Sequence, residues 1–93
     1  MRKYELMVLF PLEEDQFKPG IEAVRKNIAD HGAQVISEDP YGDRDLTYEI
    51  KKNTRGRYVL FNINSEPSKI VEMDRQLKLN QHLLTFLFVR VEE

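Results

Sequence analysis

A chain of 93 residues has room for one domain and one core, since a domain of this size buries roughly 60–65% of its unfolded surface. With 41% hydrophobic and 32% charged residues it reads as globular, and the absence of cysteine excludes disulfides, zinc–thiolate sites and thiol nucleophiles. A net charge of −2 argues against a free-standing nucleic-acid binder, which is usually basic.

The longest apolar run, Phe86-Leu87-Phe88-Val89, falls far short of the ~20 residues a membrane span requires. The opening Met1-Arg2-Lys3-Tyr4-Glu5 carries no signal-peptide pattern, so a cytoplasmic location is expected. No internal repeat, low-complexity stretch or linker interrupts the chain, and residues 1–93 are expected to form one domain.

The apolar spacing changes period along the chain. From Lys3 to Phe10 it alternates, with Tyr4, Leu6, Val8 and Phe10 on one face, which predicts a strand that Pro11 ends. Phe17, Ile21, Val24 and Ile28 then recur at helical spacing behind the acidic Glu13-Glu14-Asp15, which suits a helix N-terminus. Pro19 belongs in a first turn, so regular helix is expected from near Lys18, and Gly32 caps its end.

Ala33 to Ser37 reads as extended, and Asp39-Pro40-Tyr41-Gly42 as an interrupting turn. Alternation resumes with Leu46, Tyr48 and Ile50, which predicts a strand with one solvated face. Asn53-Thr54-Arg55-Gly56 reads as a hairpin loop, and Tyr58 to Asn64 as the next strand, with Val59, Phe61 and Ile63 on one side. A second helix opens at Ser65-Glu66-Pro67 with the stripe Ile70, Met73 and Leu77, and Phe86 to Val91 forms the last strand.

The order strand, helix, strand, strand, helix, strand predicts an α+β, ferredoxin-like split βαβ fold. Four antiparallel strands would carry both helices on one face, with the first and third strands central.

Charge is segregated along this order. From Arg44 to Arg57 there are five basic residues and two acidic ones, so the segment carries +3 and the rest −5. A basic arm on an acidic body is an electrostatic footprint, although a solvated hairpin tip would look the same.

Side-chain parity points to a second surface. If Leu6/Val8/Phe10, Val59/Phe61/Ile63 and Leu87/Val89/Val91 face the helices, the open side shows Met7, Leu9, Tyr58, Leu60, Phe86 and Phe88, with Lys3 and Arg90 at the strand ends. That face is more apolar and aromatic than a solvated sheet, and fits base stacking or a partner protein. A one-residue shift in the last strand would instead place Phe86 and Phe88 in the core. Tyr4 and Tyr48 share their strands' core parity and read as core tyrosines.

Catalytic patterns are missing. His31 and His82 show no ligand spacing and read as surface residues, and Ser37, Ser65 and Ser68 have no base partner by spacing. The four glycines are scattered and spell no phosphate loop. The first loop, Phe10-Pro11-Leu12-Glu13, lacks the glycine-rich, arginine-bearing pattern of acylphosphatases. No enzyme activity, metal, cofactor or small-molecule substrate is expected.

From Met1 to about Val91 the chain resembles the bacterial small-subunit ribosomal protein six family. The resemblance rests on Met1-Arg2-Lys3-Tyr4-Glu5, on Gly42-Asp43-Arg44-Asp45-Leu46-Thr47-Tyr48-Glu49-Ile50-Lys51, and on Lys52, Gly56 and Tyr58. Thr47 departs from the family's usual serine or alanine, and Thr85-Phe86 from its usual arginine and tyrosine. The resemblance implies a ferredoxin-like protein of the small-subunit platform, paired with ribosomal protein eighteen on 16S ribosomal RNA.

On that reading Arg2, Lys3, Arg44, Lys51, Lys52, Arg55 and Arg57 are candidate phosphate contacts, which position a protein without reading sequence. Met7, Leu9, Tyr58, Leu60, Phe88 and Arg90 are candidate contacts to the partner protein. An autonomous module of the RRM kind shares the strand order, but Arg55-Gly56-Arg57-Tyr58-Val59 puts arginine where its third strand wants an aromatic. A metabolite-binding or enzymatic domain on the same fold is a further alternative.

Overall fold

The computed structural model describes residues 1–91. Strand β1 (Arg2–Phe10) forms where the alternation places Tyr4, Leu6, Val8 and Phe10 on one buried side. Helix α1 (Glu14–Asp30) buries Ile21, Val24 and Ile28, and α2 (Pro67–Leu77) buries Met73 and Leu77. Between them run β2 (Gln34–Ile50) and β3 (Asn53–Ser65), and β4 (Thr85–Arg90) follows α2. The sheet order is β2-β3-β1-β4, with every neighbouring pair antiparallel. This is the ferredoxin-like α+β arrangement, with β1 and β3 central.

The core lies between this sheet and both helices. Leu6, Val8, Phe10, Phe61, Ile63, Val24 and Met73 have no exposed surface. Each such side chain contributes about 1.5–3 kcal/mol by leaving water. Phe10 meets Phe17 of α1 edge-on, with ring centres 5.1 Å apart.

Helix ends follow their sequence signals in part. Gly32 takes φ +71°, its N–H donates to the Ala29 carbonyl and that of Ala33 to the Ile28 carbonyl, closing α1 in a Schellman motif. Pro67 stands in the first turn of α2. At its start, however, α1 begins at Glu14, four residues before the expected Lys18, and Pro19 lies inside it. Both Pro19 and Asp15 are exposed, so the Asp15 carbonyl that loses its helical partner can turn to water.

The β2–β3 hairpin departs most from expectation. Asp39–Gly42 does not interrupt β2; register shifts between Val35 and Ser37 and between Pro40 and Gly42 absorb the extra residues as bulges. Because β2 is an edge strand, Pro40 is tolerated there. The turn falls at Lys51-Lys52, with Ile50 opposite Asn53, instead of at Asn53–Gly56. Both lysines have positive φ, 48° and 67°, as a two-residue hairpin turn requires, but they lack the Asn-Gly chemistry that would have revealed it. Tyr48, expected in the core, is 79% exposed because this part of β2 extends beyond the body.

The last strand has the opposite parity to that expected. Phe88 lies opposite Leu6 and Phe86 opposite Val8, so both phenylalanines pack against the core on the helix side. Leu87 and Val89 point to the open face, 62% and 44% exposed. Both faces of this strand are apolar, so alternation could not choose between them. Two aromatic rings fill more core volume than Leu and Val, and the register follows the rings. His31 and His82, expected at the surface, are half-buried; His31 Nδ1 lies 2.8 Å from the Asn27 carbonyl, and Gly20 packs against His82.

Candidate nucleic-acid interface

The basic segment becomes the distal part of the β2–β3 hairpin. Beyond Phe10, β1 no longer accompanies β3, so Asn53 to Gly56 and their β2 partners project as an arm. Two contacts set its direction. Gly56 is buried against Leu9, and a Cβ at that position would stand 2.4 Å from Leu9 Cδ1. At the tip, Lys51 Nζ donates to the Leu83 carbonyl at 2.8 Å. The arm therefore leans across the end of β1 onto the segment before β4.

The seven candidate phosphate contacts separate into three groups. Arg44, opposite Gly56, and Lys52, in the turn, are exposed and make no ion pair among the described residues. Arg55 lies near them, paired with Asp45 at 3.0 Å. Lys51 shares the tip but is engaged with Leu83. Arg2 and Lys3 sit at the other end of the sheet, opposite Ser65 and Asn64. Along β3 this places them about 30 Å from Arg44 at ~3.3 Å per residue.

Arg57 belongs to neither end. It faces the helices, bonded to Asp43 at 3.0 Å and Glu14 at 3.1 Å, with its guanidinium 4.6 Å from the Phe17 ring centre. Hydrogen bonds to Asp43 and then Glu14 raise its pKa above the ordinary arginine value. Its surroundings join the edge strand to α1, as does Arg25, held by Glu38 at 2.8 Å and Glu22 at 3.1 Å. The spacing of Arg57 among other cations concealed this structural role.

The open sheet face has two unlike halves. Across β2 and β3 it is polar: the Asn62 amide donates to Ser37 Oγ at 2.9 Å and to Asp39 at 3.1 Å. Across β1 and β4 it is apolar, with half-buried Met7 beside the exposed Leu87 and with Val89 opposite Glu5. Of the six expected partner contacts, Met7 and Tyr58 remain accessible on this face. Leu9 and Leu60, at 1% and 6% exposure, are already covered within the chain. Phe88 and Arg90 have helix-side parity, opposite Leu6 and Tyr4, and leave the face altogether. Leu87 and Val89 take their place; their signal was the one-residue alternative in the last strand.

Among the described residues no cluster of three His, Asp or Glu side chains could hold a metal ion. Among the described residues, no helix is long and apolar enough to cross a membrane.

The family described as ribosomal protein S6 matches residues 3–90. The chain is 59% identical over 93 residues to the small ribosomal subunit protein bS6 of Treponema denticola, covering all of both chains. It is 48% identical over 92 residues to bS6 of Treponema pallidum strain Nichols, covering 99% of each. Its fold superposes on the crystal structure of 30S ribosomal protein S6 from Thermotoga maritima with TM-score 0.85 and 22% identity, over 97% of this chain and 87% of that one. The C-terminal domain of the MgtC protein from Mycobacterium tuberculosis shares the fold at TM-score 0.66 and 8% identity, over 100% of this chain and 90% of that one, a likeness of architecture alone. With the family match spanning the sheet, both helices and the arm, this chain belongs to the ribosomal protein S6 family.

Proposed function

We propose that this chain is a structural constituent of the bacterial small ribosomal subunit that binds 16S ribosomal RNA of the central domain, the platform, together with ribosomal protein eighteen. Its family makes it a small-subunit ribosomal protein at work on the cytoplasmic ribosome, and not an enzyme. The finer reading, RNA bound jointly with a second protein, draws its support from one observation. An arm with uncompensated cations and an apolar half-face occupy separate places on one acidic body.

Each surface suits a different partner. Arg44 and Lys52 stand free at the arm, where they can meet phosphates and release counterions. Leu87, Val89 and Met7 offer an apolar strip that a solvated sheet face would not carry. With Arg57 counted in the body, the charge outside the arm is −4, which repels RNA and favours a basic protein partner.

The test is binding of the purified chain to a platform RNA fragment, with and without protein eighteen, across a salt series. Weak binding alone and tight, salt-sensitive binding with the partner is the expected result. Equally tight binding without the partner would replace this reading with an autonomous RNA module.

A further inference from the structure

We propose that Lys51 acts in RNA binding as a positioning residue: its ammonium holds the arm tip on the Leu83 carbonyl, so that Arg44, Lys52 and Arg55 are presented from a fixed arm. This rests on the RNA-binding reading above. It removes Lys51 from the phosphate contacts and gives it a different task.

Three observations carry it. The first is the bond itself, 2.8 Å from Nζ to a backbone oxygen 32 positions away. A hydrogen bond with an ionised donor is about twice as strong as a neutral one. Its acceptor is firmly placed, because Leu83 is 2% exposed and the next amide, Leu84 N–H, donates to the Leu9 carbonyl at 2.8 Å. The arm is thus tied to a segment that is itself tied to the end of β1.

The second is the weakness of the arm without this tie. Beyond the second bulge, pairing between β2 and β3 is regular only from Gly42 opposite Tyr58 to Asp45 opposite Arg55, then loses register until Ile50 meets Asn53. Leu46 to Glu49 have no partners in this ladder, so the tip hangs on a broken stretch of sheet. The third is the turn geometry. Lys51 and Lys52 both have left-handed backbone, and the Asn53 amide donates to the Lys51 carbonyl at 3.0 Å. Both lysines are exposed, but this turn lets the Lys51 ammonium reach the Leu83 carbonyl, whereas Lys52 makes no ion pair among the described residues.

The experiment uses the full chain and two substitutions. Lys51→Met keeps the length of the stem and removes the ammonium; Lys51→Arg restores a cationic donor. Amide hydrogen exchange is followed in the free protein at the paired arm residues Arg44, Asp45, Ile50, Asn53, Arg55 and Gly56. Binding to platform RNA, with protein eighteen present, is measured across a salt series, with Arg44→Ala as the reference for a phosphate contact.

The expected result is that Lys51→Met speeds exchange in the arm about tenfold or more, leaves exchange in β1 unchanged and weakens RNA binding without altering the salt slope. Lys51→Arg should recover both protection and affinity. Arg44→Ala should lower the slope by ~0.7–0.9. If Lys51→Met lowers the slope by that amount and leaves arm exchange untouched, Lys51 is a phosphate contact and the proposal falls. Unchanged exchange together with unchanged binding overturns it as well. Failure of the unaltered chain to bind RNA even with protein eighteen would defeat the functional reading and the RNA role of Lys51 together, while faster arm exchange would still show the tie.

Discussion

The body and the arm of this protein obey different rules. In the body, β1 and β3 lie side by side under two helices, and every residue of the Leu6/Val8/Phe10 and Val59/Phe61/Ile63 sets is at most 3% exposed. In the arm, Leu46 and Ile50 are only half-buried and Tyr48 stands in solvent, although they alternate as clearly as any body strand. The same sequence pattern therefore has different consequences. Alternation gives a strand two chemically distinct faces, but burial requires a layer to cover one of them. The arm extends past the helices, and its shape depends on Gly56 and Lys51 instead.

The largest effect expected is on the body. Phe61→Ala, at a position with no exposed surface, should cost about 3–5 kcal/mol in chemical denaturation. A loss below ~1 kcal/mol would mean that β3 does not carry the core.

Next comes the last strand, where one substitution on each side tests the register. Phe88→Ala should destabilise by about 2 kcal/mol, since the ring is half-buried against the core. Leu87→Glu should change stability by no more than ~0.5 kcal/mol while weakening the complex with the partner protein. Reversed outcomes would restore the parity expected from the sequence.

A smaller effect is expected where body and arm meet. Gly56→Ala brings a methyl group against buried Leu9, so roughly 1–2 kcal/mol of stability should be lost. Neutral behaviour in a thermal melt would show that the close approach is not maintained in solution.

The smallest effect separates two arginines that look alike in sequence. Arg57→Ala should cost about 0.5–1 kcal/mol, less at high salt because its ion pairs are partly exposed, and should leave the RNA salt slope alone. Arg44→Ala should do the converse. Equal loss of slope in both would place Arg57 among the RNA contacts.

The order of elements, the core positions of β1, β3 and both helices, and the position of the basic segment all follow from local chemistry. Tyr4 to Phe10 alternate, Phe17 to Ile28 repeat at helical spacing, and Gly32 and Pro67 mark helix ends. These signals lie within a few residues of each other, so local chemistry is enough to set them. Three features were decided only by tertiary structure. Phe86 and Phe88 turned inward because the space between the sheet and helices favours rings, a choice that two apolar faces leave open. Arg57 was withdrawn from the basic set by carboxylates 14 and 43 positions away in sequence. Lys51 met a carbonyl 32 positions away because the hairpin bends across the end of β1. In each case the deciding partner is distant in sequence and becomes a neighbour only when the sheet assembles, so a local pattern carries no record of it.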